Sequence, residues 1–400
     1  MKKVPKIRFT NYQDIWSKTN LSTISPLRGG FAFKSKEFQN FGIPIIRISN
    51  ILSNGKVGGE FAYYYKLPKD SKFILKGRSI LLAMSGATTG KIAVLDSEED
   101  YYQNQRVGYF KKTGKVDYDF LTAVLQTKQF VKQLNLVLVA GAQPNISSEE
   151  IDAFRFVVPE NLEEQSAIGS LFRTLDDLLA AYKDNLTNYQ TFKASMLSKM
   201  FPKAGQKVPE IRLAGFEGEW KQDQADKIFK PVSEKNRADL PVLSASQVDG
   251  MVLRGEIGID IKYDETTLIN YKVVRPNQFV IHLRSFQGGF ALSKIEGITS
   301  PAYTIIDFIE KEKNNSEFWN CILTSTSFIK LLETVTYGIR DGKSISFKDF
   351  SSLKFMFPTP EEQIAIANFF SNLDTLINSY QDKIYQLEIL KKKLLQDMFI

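Results

Sequence analysis

EEQSAIGSLFRTLDDLLAAYKDNLTNYQTFKASMLSKMF, residues 163–201, returns without a gap as EEQIAIANFFSNLDTLINSYQDKIYQLEILKKKLLQDMF, residues 361–399. The two copies are identical at 15 of 39 positions. A shorter repeat precedes each variable block: KVPKIRFTNYQDIW at 3–16 returns as KVPEIRLAGFEGEW at 207–220. The chain therefore contains two copies of one plan, in which a lead-in segment and a variable block precede a long repeated segment.

Both copies of the long repeat carry the signals of a helix start. Asn161 is placed to cap a helix with Glu164 at its third position, and Thr359-Pro360 with Glu362 repeats this arrangement. Downstream residues follow at alternating spacings of four and three, which is the heptad pattern of a coiled coil. These positions are Ile168, Phe172, Leu175, Leu179, Tyr182, Leu186, Tyr189, Lys193 and Met196, and Ile366, Phe370, Leu373, Ile377, Tyr380, Ile384, Leu387, Lys391 and Leu394.

Two heptad patterns in one chain predict that the two helices pack on each other, rather than separately on their own domains. At 1.5 Å per residue each helix is roughly 58 Å long. The first helix ends near Phe201-Pro202 and the second variable block begins after Trp220. A parallel pair would force that block to bridge the whole helix length, so we predict an antiparallel pair.

The variable blocks, 17–158 and 221–356, contain short apolar runs separated by glycine turns, which are typical of strands. Helical stretches are predicted near 120–134 and 317–332. The expected fold is α+β and mostly antiparallel, with two globular domains joined by two long antiparallel helices in a coiled coil, as a pseudo-twofold internal repeat. The predicted boundaries are 1–158 for the first domain, 159–202 for the first helix, 203–357 for the second domain and 358–400 for the second helix.

Composition narrows the class of protein. The 400 residues are 43% hydrophobic, enough for two ordinary domains. The only cysteine, Cys321, fits a reducing compartment, and no secretory signal or membrane-spanning run is expected, so the predicted location is the cytoplasm without a membrane partner. The net charge is +7, and block 17–158 carries 19 Lys/Arg against 12 Asp/Glu, whereas block 221–356 carries 18 against 17. This distribution is compatible with a polyanionic partner.

The loops carry residue types suited to nucleic acid. Residues 85–91, SGATTGK, combine hydroxyls, backbone amides and a lysine, and residues 103–106, QNQR, offer amides suited to adenine and an arginine suited to guanine. Matching places in the second block hold RSFQGG at 284–289, SPAY at 300–303 and YGIRDGK at 337–343.

Catalytic chemistry is not expected. The only histidine is His282, which with Cys321 excludes a zinc site built from Cys and His. The two loops that resemble a phosphate-binding P-loop, at 86–91 and 338–344, are each one residue short of the motif. We therefore expect a binding protein that is not an enzyme and binds no cofactor itself.

Taken together, the chain resembles the specificity subunit of a type I restriction–modification system over essentially its whole length. The features that carry the resemblance are the Glu-Glu-Gln motifs at 163–165 and 361–363 after their prolines, the SGATTGK and QNQR loops, and the Leu-Asp pairs at 175–176 and 373–374. The near-neutral charge of the second block and its different loop at 284–288 depart from the first block.

The resemblance implies two target-recognition domains, each of which reads one half of a bipartite site on double-stranded DNA. It implies that the paired helices set the spacing and dock DNA adenine methyltransferase subunits, expected to be two, joined by restriction/translocase subunits, also expected to be two. S-adenosylmethionine, ATP and Mg would belong to those partners. The alternatives are a coiled-coil protein–protein interaction scaffold without DNA specificity, and a self-contained DNA enzyme, for which the sequence offers no active-site residues.

Under this interpretation the candidate DNA-binding residues lie in matching loops of the two blocks. In the first block they are Lys34, Lys36, Arg47, Ser85, Ala87, Thr88, Thr89, Lys91, Asn104, Gln105, Arg106, Gln143 and Asn145. In the second block they are Ser246, Gln247, Arg284, Ser285, Gln287, Tyr303, Tyr337, Arg340 and Lys343.

Overall fold

The two halves of the chain contain the same elements in the same order. The structure, a computed structural model, describes residues 4–65, 72–140, 145–246, 249–257, 265–282, 289–335 and 346–400. The first half contains β1 (Ser17–Asn20), α1 (Leu21–Ile24), β2 (Leu27–Arg28), β3 (Ile43–Ile46), β4 (Ala62–Tyr64), β5 (Ile74–Leu75), β6 (Ser79–Ala83), β7 (Ile92–Leu95), β8 (Tyr101–Gln103), β9 (Val107–Phe110), α2 (Tyr118–Val124), α3 (Lys128–Ala140), α4 (Ser148–Asp152), β10 (Arg155–Val158) and α5 (Leu162–Lys199). The second half contains β11 (Lys221–Gln224), α6 (Ala225–Ile228), β12 (Phe229–Val232), β13 (Leu243–Ser246), β14 (Gly250–Leu253), β15 (Lys272–Val274), β16 (Phe279–Ile281), β17 (Phe290–Leu292), β18 (Gly297–Thr299), β19 (Thr304–Phe308), α7 (Ser316–Leu323), α8 (Thr326–Val335), α9 (Phe347–Ser351), β20 (Lys354–Phe357) and α10 (Pro360–Asp397).

Strand pairing repeats as well. The central sheets have the orders β2-β9-β6-β7 and β12-β19-β16-β17, with antiparallel neighbours throughout. The antiparallel pairs β3–β4 and β5–β8 have counterparts in β13–β14 and β15–β18. β3 also pairs with β8 in parallel, and a parallel bridge joins Val242 to Ile298 at the corresponding place. The predicted α+β, mostly antiparallel fold is therefore confirmed, and the duplication extends through blocks whose sequences have diverged.

Each stretch that the sequence predicted as one helix after the sheet is two helices. In the first half, Thr127 separates α2 from α3: its hydroxyl donates to the carbonyl of Val124 (2.7 Å) and accepts from the amide of Phe130 (3.3 Å). In the second half, the Ser325 hydroxyl accepts from the amide of Phe328 (3.1 Å) at the start of α8. A hydroxyl that satisfies the amides of a new first turn ends one helix and caps the next.

The long helices begin at the predicted caps. The side-chain oxygen of Asn161 accepts from the amides of Glu163 (2.7 Å) and Glu164 (3.2 Å), so α5 starts at the next residue. α10 starts at Pro360, whose fixed φ and missing N–H suit the first helical position. Both helices have 38 residues, which corresponds to roughly 57 Å at 1.5 Å per residue.

Backbone contacts divide the chain into two compact units. The first unit comprises residues 1–184 and 382–400, and the second comprises 185–381, so each unit holds one variable block and half of each long helix. Every predicted heptad position is buried or half-buried. The domain boundaries predicted from the sequence follow the change from block to repeat, and they remain a prediction.

The long helices run antiparallel within each unit. In the first unit, Asp176 of α5 meets Lys391 of α10, and Lys183 bonds to Glu388 (2.6 Å). In the second unit, the rings of Tyr189 and Tyr380 have centroids 5.3 Å apart, and Lys193 pairs with Asp374. In each unit, the residue numbers along α5 increase while those of their partners on α10 decrease, which confirms the antiparallel prediction.

The lead-in repeat is held by the second glutamate of each Glu-Glu-Gln motif. Arg8 donates to both carboxylate oxygens of Glu164 (2.6 and 2.8 Å), and Arg212 does the same with Glu362 (2.8 and 2.7 Å). These hydrogen bonds raise the pKa values of Arg8 and Arg212 above the ordinary arginine value. Both glutamates are buried, and Trp16 donates its indole N–H to Glu164 (3.3 Å). The motif therefore fastens the lead-in segment to the first turn of each long helix.

The glutamine of each motif fastens the helix start to the rest of its unit. Gln165 donates to the carbonyl of Pro159 (2.7 Å) and accepts from the amide of Asp117 (2.8 Å), the residue that caps α2. Gln363 likewise accepts from the amide of Asn315 (2.9 Å), which caps α7. One amide side chain thus joins two helix starts in each unit.

The end of each long helix completes a core. In the first unit the ring of Phe399 packs against Phe172 and Phe120, with centroids 5.7 and 5.6 Å away. In the second unit Phe201, the equivalent residue, packs against Trp220 and Phe318 at 6.0 and 5.7 Å. The repeated Met-Phe that closes each copy is therefore a core element.

Candidate nucleic-acid interface

Two predicted loops of the first unit and the segment after β3, which contains Arg47, meet beyond the same strand ends. The amide of Asn104 donates to the carbonyl of Ile46 (3.1 Å), and the Thr88 hydroxyl donates to the carbonyl of Ile48 (3.1 Å). The amide of Met84 donates to the carbonyl of Arg106 (2.9 Å). Residues after β3, the loop between β6 and β7, and the turn between β8 and β9 thus form one continuous surface.

We call residues 104–106 the reader turn. Its ends are joined by a hydrogen bond from the amide of Val107 to the carbonyl of Asn104 (3.0 Å), and the amide of Gln105 donates to the carbonyl of Phe31 (2.8 Å). The side chains of Gln105 and Arg106 are exposed, and that of Asn104 is half-buried. A fixed backbone with exposed amide and guanidinium groups suits the reading of base edges.

The loop between β6 and β7 is more inward-facing than the sequence suggested. Ser85 is buried, and a single 3₁₀ turn, Gly86–Thr88, follows it. The Thr89 hydroxyl donates to the carbonyl of Gly86 (2.6 Å), and the Lys91 ammonium donates to the hydroxyl of Ser53 (2.9 Å). Ala87 is exposed at the tip. The hydroxyls of Thr88 and Thr89 therefore bond to backbone carbonyls, and Lys91 is the one charged residue of the segment 85–91.

The remaining basic candidates of the first block have different surroundings. Lys34 and Lys36 are exposed, and Lys34 lies 3.5 Å from the Glu37 carboxylate. Arg47 is half-buried and donates to the carbonyl of Glu60 (3.2 Å). Gln143 lies outside the described residues, and Asn145, just before α4, is exposed.

Two candidates of the second block lie within the described residues. Ser246, at the end of β13, donates its hydroxyl to Asp249 (3.0 Å). The carbonyl of Tyr303 accepts from the Lys272 ammonium (2.6 Å), and its ring lies 6.0 Å from that of His282. Burial lowers the pKa of His282 below the ordinary histidine value. The predicted residues outside the described ranges are Gln247, Arg284, Ser285, Gln287, Tyr337, Arg340 and Lys343.

The order of elements places the candidates of both blocks between equivalent elements. Residues 85–91 and 284–287 both lie between the sixth and seventh strands of their half. Residues 104–106 and Tyr303 both follow the eighth strand, and residues 143–145 and 337–343 both lie between the third and fourth helices. The predicted correspondence between loops thus matches the element order.

Sequence reasoning missed Arg28, which touches the same surface from β2. Its guanidinium carbon lies 4.7 Å from the centroid of the Tyr109 ring, and its nitrogens donate to the side-chain oxygen of Gln103 (3.1 and 2.8 Å). Burial lowers the pKa of Arg28 below the ordinary arginine value. The Arg28-Gly29-Gly30 sequence was the available signal, because paired glycines allow close backbone approach.

Across the described residues, no group of three or more His, Cys, Asp or Glu side chains is placed to hold a metal ion. Within those ranges, no helix combines the length and apolar character required to cross a membrane.

Comparison with known proteins adds to this geometry. Residues 13–188 and 222–388 each match the family model described as the type I restriction modification DNA specificity domain. Together the two ranges cover most of the chain. The chain belongs to this specificity-domain family. Its two matches coincide with the two halves that share one element order.

Two named proteins and one solved structure show what this chain is similar to. The chain is similar to the type I restriction enzyme MjaVIII specificity subunit of Methanocaldococcus jannaschii, with 30% identity over 174 residues, or 41% of this chain and 40% of that protein. The MjaX type I restriction enzyme specificity subunit of the same organism is 23% identical over 401 residues, which cover 95% of this chain and 92% of that protein. The crystal structure of the type I restriction–modification S subunit from M. genitalium has the same fold, with a TM-score of 0.60, 15% identity and 99% of both chains covered.

Proposed function

We propose that this chain is the DNA-recognition subunit of a type I restriction–modification assembly. Each block would bind one half of a bipartite site on double-stranded DNA. The observation that carries the proposal is the duplication itself: two halves that match one DNA specificity family repeat every element, and their polar loops occupy equivalent places. Two equivalent readers in one chain suit a site made of two separate half-sites.

The chemistry of the first unit supports direct contact with the major groove. Gln105 and Arg106 are exposed on a turn whose backbone is hydrogen-bonded on both sides, and such side chains can pair with adenine and guanine edges. Lys34, Lys36 and Lys91 belong to the same unit and would supply positive charge for phosphate contacts, which position a protein on the duplex. The net excess of basic residues in block 17–158 favours attraction to DNA.

The paired helices would fix the distance between the half-sites and bind the other subunits. We propose two DNA adenine methyltransferase subunits and two restriction/translocase subunits as partners. S-adenosylmethionine, ATP and Mg would be bound by those subunits, and this chain would contribute no catalytic group or cofactor. The scaffold alternative, a coiled coil without DNA specificity, is not favoured, because the matching family is a DNA specificity family.

Selection from a pool of randomised duplexes, followed by filter binding, tests the proposal. The full chain should enrich two short half-sites separated by an unread gap. Its affinity should fall steeply as salt rises, with a log–log slope of about −0.9 per phosphate contacted. Enrichment of no sequence, together with a flat salt dependence, would leave the scaffold alternative in place.

A further inference from the structure

Gln103 carries the same amide group as its neighbours in the QNQR motif, but it faces the interior. It is fully buried, at 0% exposure, whereas Gln105 and Arg106 are exposed. Its side-chain nitrogen donates to the carbonyls of Arg28 (2.7 Å) and Val107 (2.6 Å). Its side-chain oxygen accepts two hydrogen bonds from the Arg28 guanidinium. Gln103 is therefore occupied by protein contacts on both ends of its amide.

These contacts span the base of the reader turn. Gln103 is the last residue of β8, and Val107 is the first residue of β9, so the hydrogen bond from the Gln103 side chain to Val107 joins the two ends of the turn. Arg28 lies beside both strands, because β2 pairs with β9 and Arg28 stands opposite Tyr109. The guanidinium is held between the Tyr109 ring and the Gln103 amide. We propose that Arg28 and Gln103 are positioning residues that set the sequence preference of the reader turn without contacting DNA. This inference rests on the proposed function.

Backbone packing of Gly30 and Phe31 against the turn leaves it little freedom to move. A Cβ atom at Gly30 would lie 2.1 Å from the carbonyl oxygen of Asn104, far inside van der Waals contact, so the two backbones touch. Phe31 then exchanges hydrogen bonds with the turn: its amide donates to the Gln103 carbonyl (2.9 Å), and its carbonyl accepts from the Gln105 amide (2.8 Å). Arg28 and Phe31 thus approach the turn from one short segment, 28–31.

The choice of glutamine over glutamate at position 103 indicates what is being stabilised. A carboxylate would pair with the Arg28 charge more strongly than a neutral amide does. It would also point a lone pair at the carbonyls of Arg28 and Val107, both of which need a donor. With glutamine the ion pair to Arg28 is absent, but the hydrogen bond across the turn to Val107 is present. We infer that the residue at position 103 stabilises the geometry of the turn.

Displacement of the turn should alter base discrimination more than it alters overall affinity. Hydrogen bonds to base edges depend on the direction and distance of each donor, whereas lysines on flexible stems follow phosphates over a wider range. Gln103→Glu would keep the Arg28 contact and break the bond across the turn. Arg28→Lys would keep the positive charge and remove the planar pair of donors to the amide.

The experiment uses the full chain and selection from a pool of randomised duplexes. Gln105→Ala first identifies the half-site that the reader turn contacts, because that half-site loses its preference. Gln103→Glu and Arg28→Lys should each lower the ratio of cognate to singly mismatched binding about tenfold in that half-site. Preference for the other half-site and the salt slope should stay unchanged. Gln129→Glu on α3 of the same block makes the same change of charge and should alter neither half-site.

Each outcome separates the inference from the proposed function. A parent chain that selects no sequence would overturn the proposed function itself. A selective parent whose Gln103→Glu and Arg28→Lys variants fold and keep the same preferences would overturn only the positioning role, as would equal losses in both half-sites. Should thermal denaturation show Gln103→Glu unfolded, Arg28→Lys decides, since it introduces no carboxylate beside the carbonyls.

Discussion

Glu163 and Glu164 are neighbours in the same repeated motif, and only the second is buried. Replacing Glu164 with alanine should lower the free energy of unfolding by about 3–5 kcal/mol, because the Arg8 guanidinium would remain buried without its partner. Arg8 and Glu164 side chains are only 10% and 1% exposed, so water cannot replace the lost contact. Denaturant unfolding followed by circular dichroism measures the change.

Glu163→Ala is the matched control for this prediction. Its side chain is exposed in the first turn of α5, so the loss should stay within about 0.5 kcal/mol. Equal losses for Glu163→Ala and Glu164→Ala would contradict the role of the buried pair.

Arg106 provides a test of base reading at the same scale. Arg106→Ala should weaken binding to the cognate duplex by about 1–3 kcal/mol and relax preference at one position of one half-site. Arg155→Ala removes the same charge from an exposed residue of β10, outside the candidate loops. If both variants discriminated between cognate and scrambled duplexes equally well, Arg106 would not belong to the reading set.

Single residues show where sequence reasoning reaches its limit. The cap at Asn161 was predictable because a cap and its helix are adjacent in sequence. The bond between Arg8 and Glu164 was not, because 156 positions separate the two residues. The QNQR motif has three amide side chains of similar chemistry before its arginine. Their sequence does not distinguish them, whereas the fold buries Gln103 and exposes Gln105.

At the scale of elements, each long helix carries a lysine at a heptad position that faces an aspartate of the other. Lys391 bonds to both Asp176 and Gln126 in the first unit, and Lys193 pairs with Asp374 in the second. Polar residues at such positions fix the register of a coiled coil at some cost in stability. These equivalent pairs explain why the repeat keeps a lysine among apolar heptad residues.

A charge swap tests this role. Lys391→Asp should lower the free energy of unfolding by about 1–2 kcal/mol, because it places a second carboxylate against Asp176 in a half-exposed site. Adding Asp176→Lys to the same chain should restore most of the loss, which thermal unfolding of both variants would measure. A double variant no more stable than Lys391→Asp alone would show that the pair does not act as a unit.

The long helices were the most predictable elements, and the shorter ones the least. A heptad pattern that runs from Ile168 to Met196, within a helix of 38 residues, predicts a long helix and nothing else, and its positions are all buried or half-buried. The break between α2 and α3 was missed, because Thr127 is flanked by Gln126 and Lys128, and one more polar residue there is a weak signal. The parallel pairing of β3 with β8 joins strands far apart in sequence, which local pattern does not encode.

For the whole molecule, the proposed function makes helix length a determinant of the DNA site. α5 and α10 pass from one unit into the other without a break. Insertion of one heptad after Asp184 and another after Asp382, its equivalent, should widen the gap between half-sites by about 10 Å, or roughly three base pairs. Selection from randomised duplexes would reveal the new gap.

A chain with the heptad inserted into α5 alone is the control, since it shifts one set of heptad residues against the other and should bind neither spacing well. Retention of the original gap by the doubly lengthened chain would show that the helices do not determine it.

Duplication was the property of the whole molecule that the sequence revealed most clearly, because the long repeat keeps its length and its phase. In the variable blocks the two sequences share only short apolar runs separated by turns, with little identity. Their correspondence, strand for strand, is visible only in the fold, because buried positions accept many apolar residues of similar volume.

Phe399 has a consequence for biosynthesis. The first block needs this ring, with Met398, to fill its interior, although the sequence of the block is finished about 240 residues earlier. At about 5–20 residues per second, the nascent first block would wait roughly 12–48 s for the missing aromatic group to be synthesised. During that interval Trp16, Phe120 and Phe172 would lack the Phe399 ring as a partner, and chaperones would have their best opportunity to bind.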